Sequence, residues 1–101
     1  MKRITVLLMS LIALTAYANE DAILNKSGCL ACHAKDKKLV GPSFKDIAAK
    51  YKGQADAPTK LADKVRKGGA GSFGPIPMSA NGPDKISDAD LKTVIEAILK
   101  Y

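Results

Sequence analysis

The chain contains two cysteines and one histidine outside its first 18 residues, and all three fall within Cys29-Leu30-Ala31-Cys32-His33. Two thiols separated by two residues and followed directly by histidine form the attachment pattern of a c-type haem. The thiols are spaced to meet the two vinyl groups of one haem as thioethers, and the adjacent histidine is then held under the iron. Three other chemistries draw on the same residue types. A Cys29–Cys32 disulfide would close a loop too small to contribute much. A thioredoxin-like redox pair needs strands alternating with helices, and the chain lacks a convincing run of alternating β-branched residues. A structural zinc site wants four Cys or His ligands, whereas this cluster offers three. The haem reading leads.

Haem iron held by one histidine has a further position, and its occupant decides between electron transfer and ligand chemistry. Met78 is the only methionine beyond the first 18 residues, and it ends the segment Gly74-Pro75-Ile76-Pro77-Met78. Prolines at alternate positions fix φ, remove two amide donors and stiffen an extended segment. Such a segment can hold a thioether at a set distance from iron, although filling gaps in a core is the commoner fate of methionine. With His33 and Met78 both on the iron, no position is free for oxygen, peroxide or substrate, and the thioether raises the reduction potential. The expected activity is one-electron transfer between Fe(II) and Fe(III), with no catalytic residues in the enzyme sense. A haem-based ligand-binding, sensor or peroxidase-like protein is the alternative if the Met78 bond is labile, and a thiol oxidoreductase using Cys29 and Cys32 is a second.

The elements that must position these residues begin after a leader. Met1-Lys2-Arg3 is a short positive start, Ile4 to Ala16 is almost unbroken apolar sequence, and Ala16-Tyr17-Ala18 is a small-x-small triplet. That pattern is a cleaved secretory signal peptide over residues 1–18, too short for the ~20 apolar residues of a spanning helix. Residues 19–101 then form one domain, and losing Lys2 and Arg3 lowers the net charge from +6 to +4. Its aromatics are only Phe44, Tyr51, Phe73 and Tyr101, with no Trp. A chain this short has trouble burying enough apolar surface by itself, and a prosthetic group is one way to complete its core. Asn19 is expected to cap a first helix with Glu20 and Asp21 in its opening turn, and Gly28 to end it. Further helices are expected from about Ser43 to Tyr51 and from Ala57 to Lys67, the latter carrying Leu61 and Val65 on one face. Residues 68–83 hold five Gly and three Pro, too many breakers for regular structure. A last helix is expected from Ser87, with Asp90 completing an approximate capping box and Leu91, Val94, Ile95 and Ile98 forming its apolar stripe.

The CLACH motif, Val40-Gly41-Pro42, the stretch Ala48-Ala49-Lys50-Tyr51-Lys52-Gly53-Gln54 and Gly74-Pro75-Ile76-Pro77-Met78 occur in that order. In these motifs the sequence resembles the small bacterial class I cytochromes c of the cytochrome c-551 type, over essentially all of residues 20–101. The resemblance implies an all-α fold of about four short helices wrapped around one covalent haem c attached through Cys29 and Cys32. It implies that His33 binds iron through Nε2 while the carbonyl of Pro42 accepts its Nδ1 proton, and that Asn81 hydrogen-bonds near the Met78 sulfur. Phe73 stands where the family commonly has a tryptophan that donates to a haem propionate, so that bond is expected to be lost or replaced by water. Lys64 stands where an arginine often serves the same propionate region, giving a point charge in place of a planar fork. Ala97 replaces a tryptophan of the last helix, which implies different packing around Gly28.

The expected location is the periplasm, without stable membrane insertion, and one haem on so short a chain implies a monomer. Lys35, Lys37, Lys38, Lys45, Lys50 and Lys52 are candidates for a positive surface near the haem, which would speed docking with acidic redox partners. A generally solvated lysine face is the competing reading. Nucleic acid is a poor fit to an exported haem protein. The resemblance implies a quinol-oxidising complex as donor, and nitrite reductase or a terminal oxidase as acceptor.

Overall fold

A computed structural model describes the backbone of residues 12–101 and the side chains of residues 19–101. Most of the expected leader, residues 1–11, lies outside the described residues. Four α-helices follow in order: α1 Ile12–Lys26, α2 Phe44–Tyr51, α3 Ala57–Lys67 and α4 Asp88–Ile98, with a short 3-10 turn at Cys29–Ala31. The last three match the expected spans, and the all-α expectation holds.

The start of α1 departs from expectation. The helix runs through Asn19 and begins at Ile12. In the full chain the residues before Asn19 have good helix-forming character, so Asn19 is an interior position and does not cap. The other end behaves as read: Gly28 adopts φ 80, ψ 7, a left-handed conformation that glycine enters without a Cβ penalty. Ser43 caps α2 by accepting from Asp46 N at 3.0 Å, and Ser87 caps α4 by accepting from Asp90 N at 3.2 Å. Each such cap contributes about 1 kcal/mol.

The amphipathic faces of these helices meet in one core. Ile23 and Leu24 of α1, Phe44 and Ile47 of α2, and Leu91, Val94 and Ile95 of α4 are buried together with Ile86. Phe44 and Leu24 are the largest fully buried side chains, each worth about 1.5–3 kcal/mol of burial. Helix α4 packs against α1, α2 and α3. On α3, Leu61 and Val65 are only half-buried, packing against the core on one side and lining a large cavity on the other.

Candidate functional site

The Cys29–Ala31 turn is held by Cys32 N donating to Cys29 O at 3.2 Å and His33 N donating to the same oxygen at 3.0 Å. These bonds wind Cys29, Cys32 and His33 into one turn, and residues three and four apart on a turn share a face. No disulfide joins Cys29, which is half-buried, to Cys32, which is exposed. Burial pushes the Cys29 thiol above its ordinary range, opposite to the lowered value that marks a redox-active thiolate.

His33 is fixed from several sides. Its Nδ1 donates to the Pro42 carbonyl at 2.7 Å, leaving Nε2 as the nitrogen available to a metal. The Phe44 ring stacks on the imidazole at 5.7 Å. Gly41 passes so close that a Cβ there would lie 2.6 Å from His33 Cε1 and 3.0 Å from Nδ1. Gly41→Ala is therefore expected to displace the imidazole and cost about 2 kcal/mol by overpacking. Guanidinium unfolding checks this, and an unchanged midpoint would mean that the backbone yields instead of the ring.

Met78 lies in the Gly- and Pro-rich segment, yet its backbone is closely held. Met78 N donates to Gly69 O at 3.0 Å and Gly69 N donates to Met78 O at 2.9 Å, forming an isolated antiparallel bridge. Asn81 ties the same segment to α3: its backbone N donates to Val65 O at 2.9 Å. Its side-chain amide donates to Ser79 O at 2.9 Å and Val65 O at 3.4 Å. Arg66 then anchors the chain entering α4, reaching Asn81 O at 3.2 Å, Ile86 O at 2.7 Å and Asp88 Oδ1 at 2.5 Å. Sequence reasoning missed Arg66, because a basic residue near a helix C-terminus already has a local explanation in the helix dipole.

All eight site residues read from the sequence, Cys29, Cys32, His33, Pro42, Lys64, Phe73, Met78 and Asn81, line one cavity of about 710 Å³. Its remaining wall is largely apolar and includes Leu24, Ile47, Tyr51, Leu61, Val65 and Ile76. A mostly apolar cavity of this size with a few convergent polar groups suits a large flat ligand. Thiols for two covalent links, an oriented imidazole and a thioether at one such cavity fit a c-type haem.

Of the lysines read as one positive surface, two are otherwise engaged. Lys35 pairs with Asp21 at 3.4 Å. Lys50 lies over the Phe73 ring, 4.5 Å from its centroid, and donates to the Ser72 carbonyl.

The family model described as cytochrome c matches residues 19–100. The chain belongs to the cytochrome c family. It is 54% identical over 83 residues to cytochrome c2 of Rubrivivax gelatinosus, covering 82% of this chain and 98% of that protein. It is 44% identical over 91 residues to cytochrome c-551 of Pseudomonas aeruginosa, covering 89% of this chain and 85% of that one. Its fold matches the crystal structure of Nitrosomonas europaea cytochrome c552 with a TM-score of 0.73 and 45% identity, over 79% of this chain and 96% of that one. This cytochrome is thus an electron carrier with one covalent haem c on Cys29 and Cys32, and it is not an enzyme.

Behind His33 the cytochrome has a support absent from the sequence reading. The Tyr101 ring packs on Phe44 at 5.9 Å, and its hydroxyl donates to Glu20 Oε1 at 3.4 Å. Glu20 is buried, so the last residue closes onto α1. Burial foremost raises the Tyr101 phenol above its ordinary value, Glu20 and Asp21 raise it further, and Lys35 opposes them. A raised folded-state pKa means that this stabilisation is complete below the ordinary phenol value of about 10 and is lost as pH rises through the folded value. Wild-type stability is expected to fall more steeply between about pH 9 and 12 than that of Tyr101→Phe. Denaturant unfolding across that range checks it, with parallel curves excluding Tyr101 as the cause.

Proposed function

We propose that residues 19–101 form a soluble periplasmic one-electron carrier, a monomer whose iron is held by His33 and Met78. One observation carries this reading: the only histidine and the only methionine of residues 19–101 line the same cavity as both attachment thiols, each immobilised by a backbone hydrogen bond. When bound, haem c supplies a one-electron iron couple at this cavity. The Pro42 carbonyl, by accepting the Nδ1 proton, fixes the tautomer and orientation of His33 and raises its basicity. The Gly69 pairing and the Asn81 bonds hold Met78 in place, so electron gain and loss need little rearrangement. Lys64, half-buried on the cavity wall, offers a positive charge toward a carboxylate, whereas Phe73 offers no donor.

Export after Ala18 is supported by the leader pattern and by a family match beginning at residue 19. No helix among the described residues is long and apolar enough to cross a membrane. Lys37, Lys38, Lys45 and Lys52 are exposed and make no ion pair among the described residues, which favours acidic docking surfaces on the partners. A quinol-oxidising donor and a nitrite reductase or terminal oxidase as acceptor suit such a carrier.

A redox titration followed by absorption, on wild type and Met78→Ala, tests the assignment. Ferric wild type should show a sulfur-to-iron charge-transfer band that Met78→Ala lacks. The variant's potential should fall by on the order of 0.1 V, given how strongly axial ligands set haem potentials. A wild type without the band would return the reading to a ligand-binding haem protein.

A further inference from the structure

Residues 69–78 form a hairpin-like excursion. Its base is the Gly69–Met78 bridge and its tip is narrowed by Gly71 N donating to Gly74 O at 2.9 Å. The base is tied to α3 through Asn81, but the tip, Ser72 and Phe73, stands well away from that anchor in sequence. Ala70, Gly71, Ser72, Phe73, Ile76 and Pro77 form one wall of the haem cavity, so the position of the tip sets how closed that wall is. Four glycines of the segment and its entry, Gly68, Gly69, Gly71 and Gly74, have positive φ. Glycine-rich backbone has little intrinsic preference for one shape, and an external tether must choose it.

That tether is Lys50, in the last turn of α2. Its ammonium contacts the tip twice, over the Phe73 ring at 4.5 Å and on the Ser72 carbonyl. Among the described residues, no other side chain hydrogen-bonds to residues 70–77. Phe73 and Ile76 line the cavity and lie outside the helical core cluster, so packing among the helices does not hold the tip down. A cation over an aromatic face adds attraction to a charge-assisted hydrogen bond.

We propose that Lys50 is a positioning residue, a latch that holds the Met78 hairpin against the cavity and limits entry of small ligands to the iron. This rests on Met78 as the iron ligand. Opening of the tip uncovers the cavity wall next to Met78, and the latch lowers the population of that open state without touching the iron.

Imidazole binding to the ferric holoprotein is the test, followed as loss of the sulfur-to-iron band. Lys50→Gln should bind imidazole roughly fivefold faster, the size expected for losing one exposed cation–π contact and one charged hydrogen bond. Lys50→Arg keeps a cation and hydrogen-bond donors that can still sit over the Phe73 ring and should stay near wild type. The double variant Lys50→Gln/Phe73→Leu should be less than additive, because both changes break one contact. Rates for Lys50→Gln within twofold of wild type, or additive single effects, would overturn the latch. Amide exchange at Gly71 and Met78 reads the same opening without reference to the ligand. It should accelerate in Lys50→Gln while the global unfolding midpoint stays constant, and equal exchange in both proteins counts against the proposal. If wild type lacks the band, the Met78 assignment fails, and the exchange data still decide whether Lys50 latches the hairpin.

Discussion

Prepared without haem, residues 19–101 are expected to lose fixed tertiary structure. The cavity of about 710 Å³ reaches the inner faces of Leu24, Ile47, Leu61, Val65, Leu91 and Ile95, side chains contributed by all four helices. Without haem the side chains of Leu61, Val65, Phe73 and Ile76 would face water across the open crevice, each forgoing up to about 1.5–3 kcal/mol of burial. A domain of this length has a total stability of only about 4–12 kcal/mol. The lost burial is comparable to the whole, so the haem-free chain should collapse differently or unfold while isolated helices persist in part. Amide dispersion in a two-dimensional NMR spectrum measures this directly. Dispersed resonances and cooperative unfolding in the haem-free chain would contradict the view that the haem completes the core.

Gly68→Ala should be the most damaging single change outside the haem-binding residues. Gly68 sits at φ 67, ψ −153, just after α3, in a region of backbone space that is essentially closed to other residues. A Cβ there would also press on the Met78 carbonyl and lie 2.8 Å from Ala80 N and 2.9 Å from Ser79 C. These are backbone atoms of the segment that carries Met78, so no side chain can swing aside to make room. Strain and overpacking together should cost about 3 kcal/mol, a large part of the stability available. The bridge between Gly69 and Met78 should loosen at the same time. The ferric sulfur-to-iron band should weaken or vanish, and the guanidinium midpoint should drop. Preserving both would show that the close approach is not what seats Met78.

Lys50 shows why some of the site was hidden. In sequence it is one of two lysines on α2 and reads as part of a positive surface near the haem or of a solvated lysine face. Only the fold brings it over Phe73, across 22 residues. Arg66 and Tyr101 are hidden in the same way, because their partners Asn81, Ile86, Asp88 and Glu20 lie far along the chain. Gly68 was legible as a helix stop, but its close approach to the Met78 segment was not. Asn19 is an interior residue of α1 in the full chain, where the helix runs back to Ile12.

The attachment motif, the lone methionine on its proline-braced segment, the spans of α2 to α4 and the glycine that ends α1 at residue 28 were legible from types and spacings. They rest on chemistry local to a few neighbouring residues: thiol reach, fixed proline φ, apolar periodicity and the absent glycine Cβ. The resemblance carried the Pro42 bond to His33, and tertiary structure decided the other contacts that hold His33 and Met78. The Gly41 backbone against the imidazole, the Phe44 and Tyr101 rings behind it, and the Gly69 bridge and Lys50 contact on the Met78 segment all join distant parts of the chain. Such contacts depend on three-dimensional closure around one cavity, and no local pattern encodes which distant residue will arrive there.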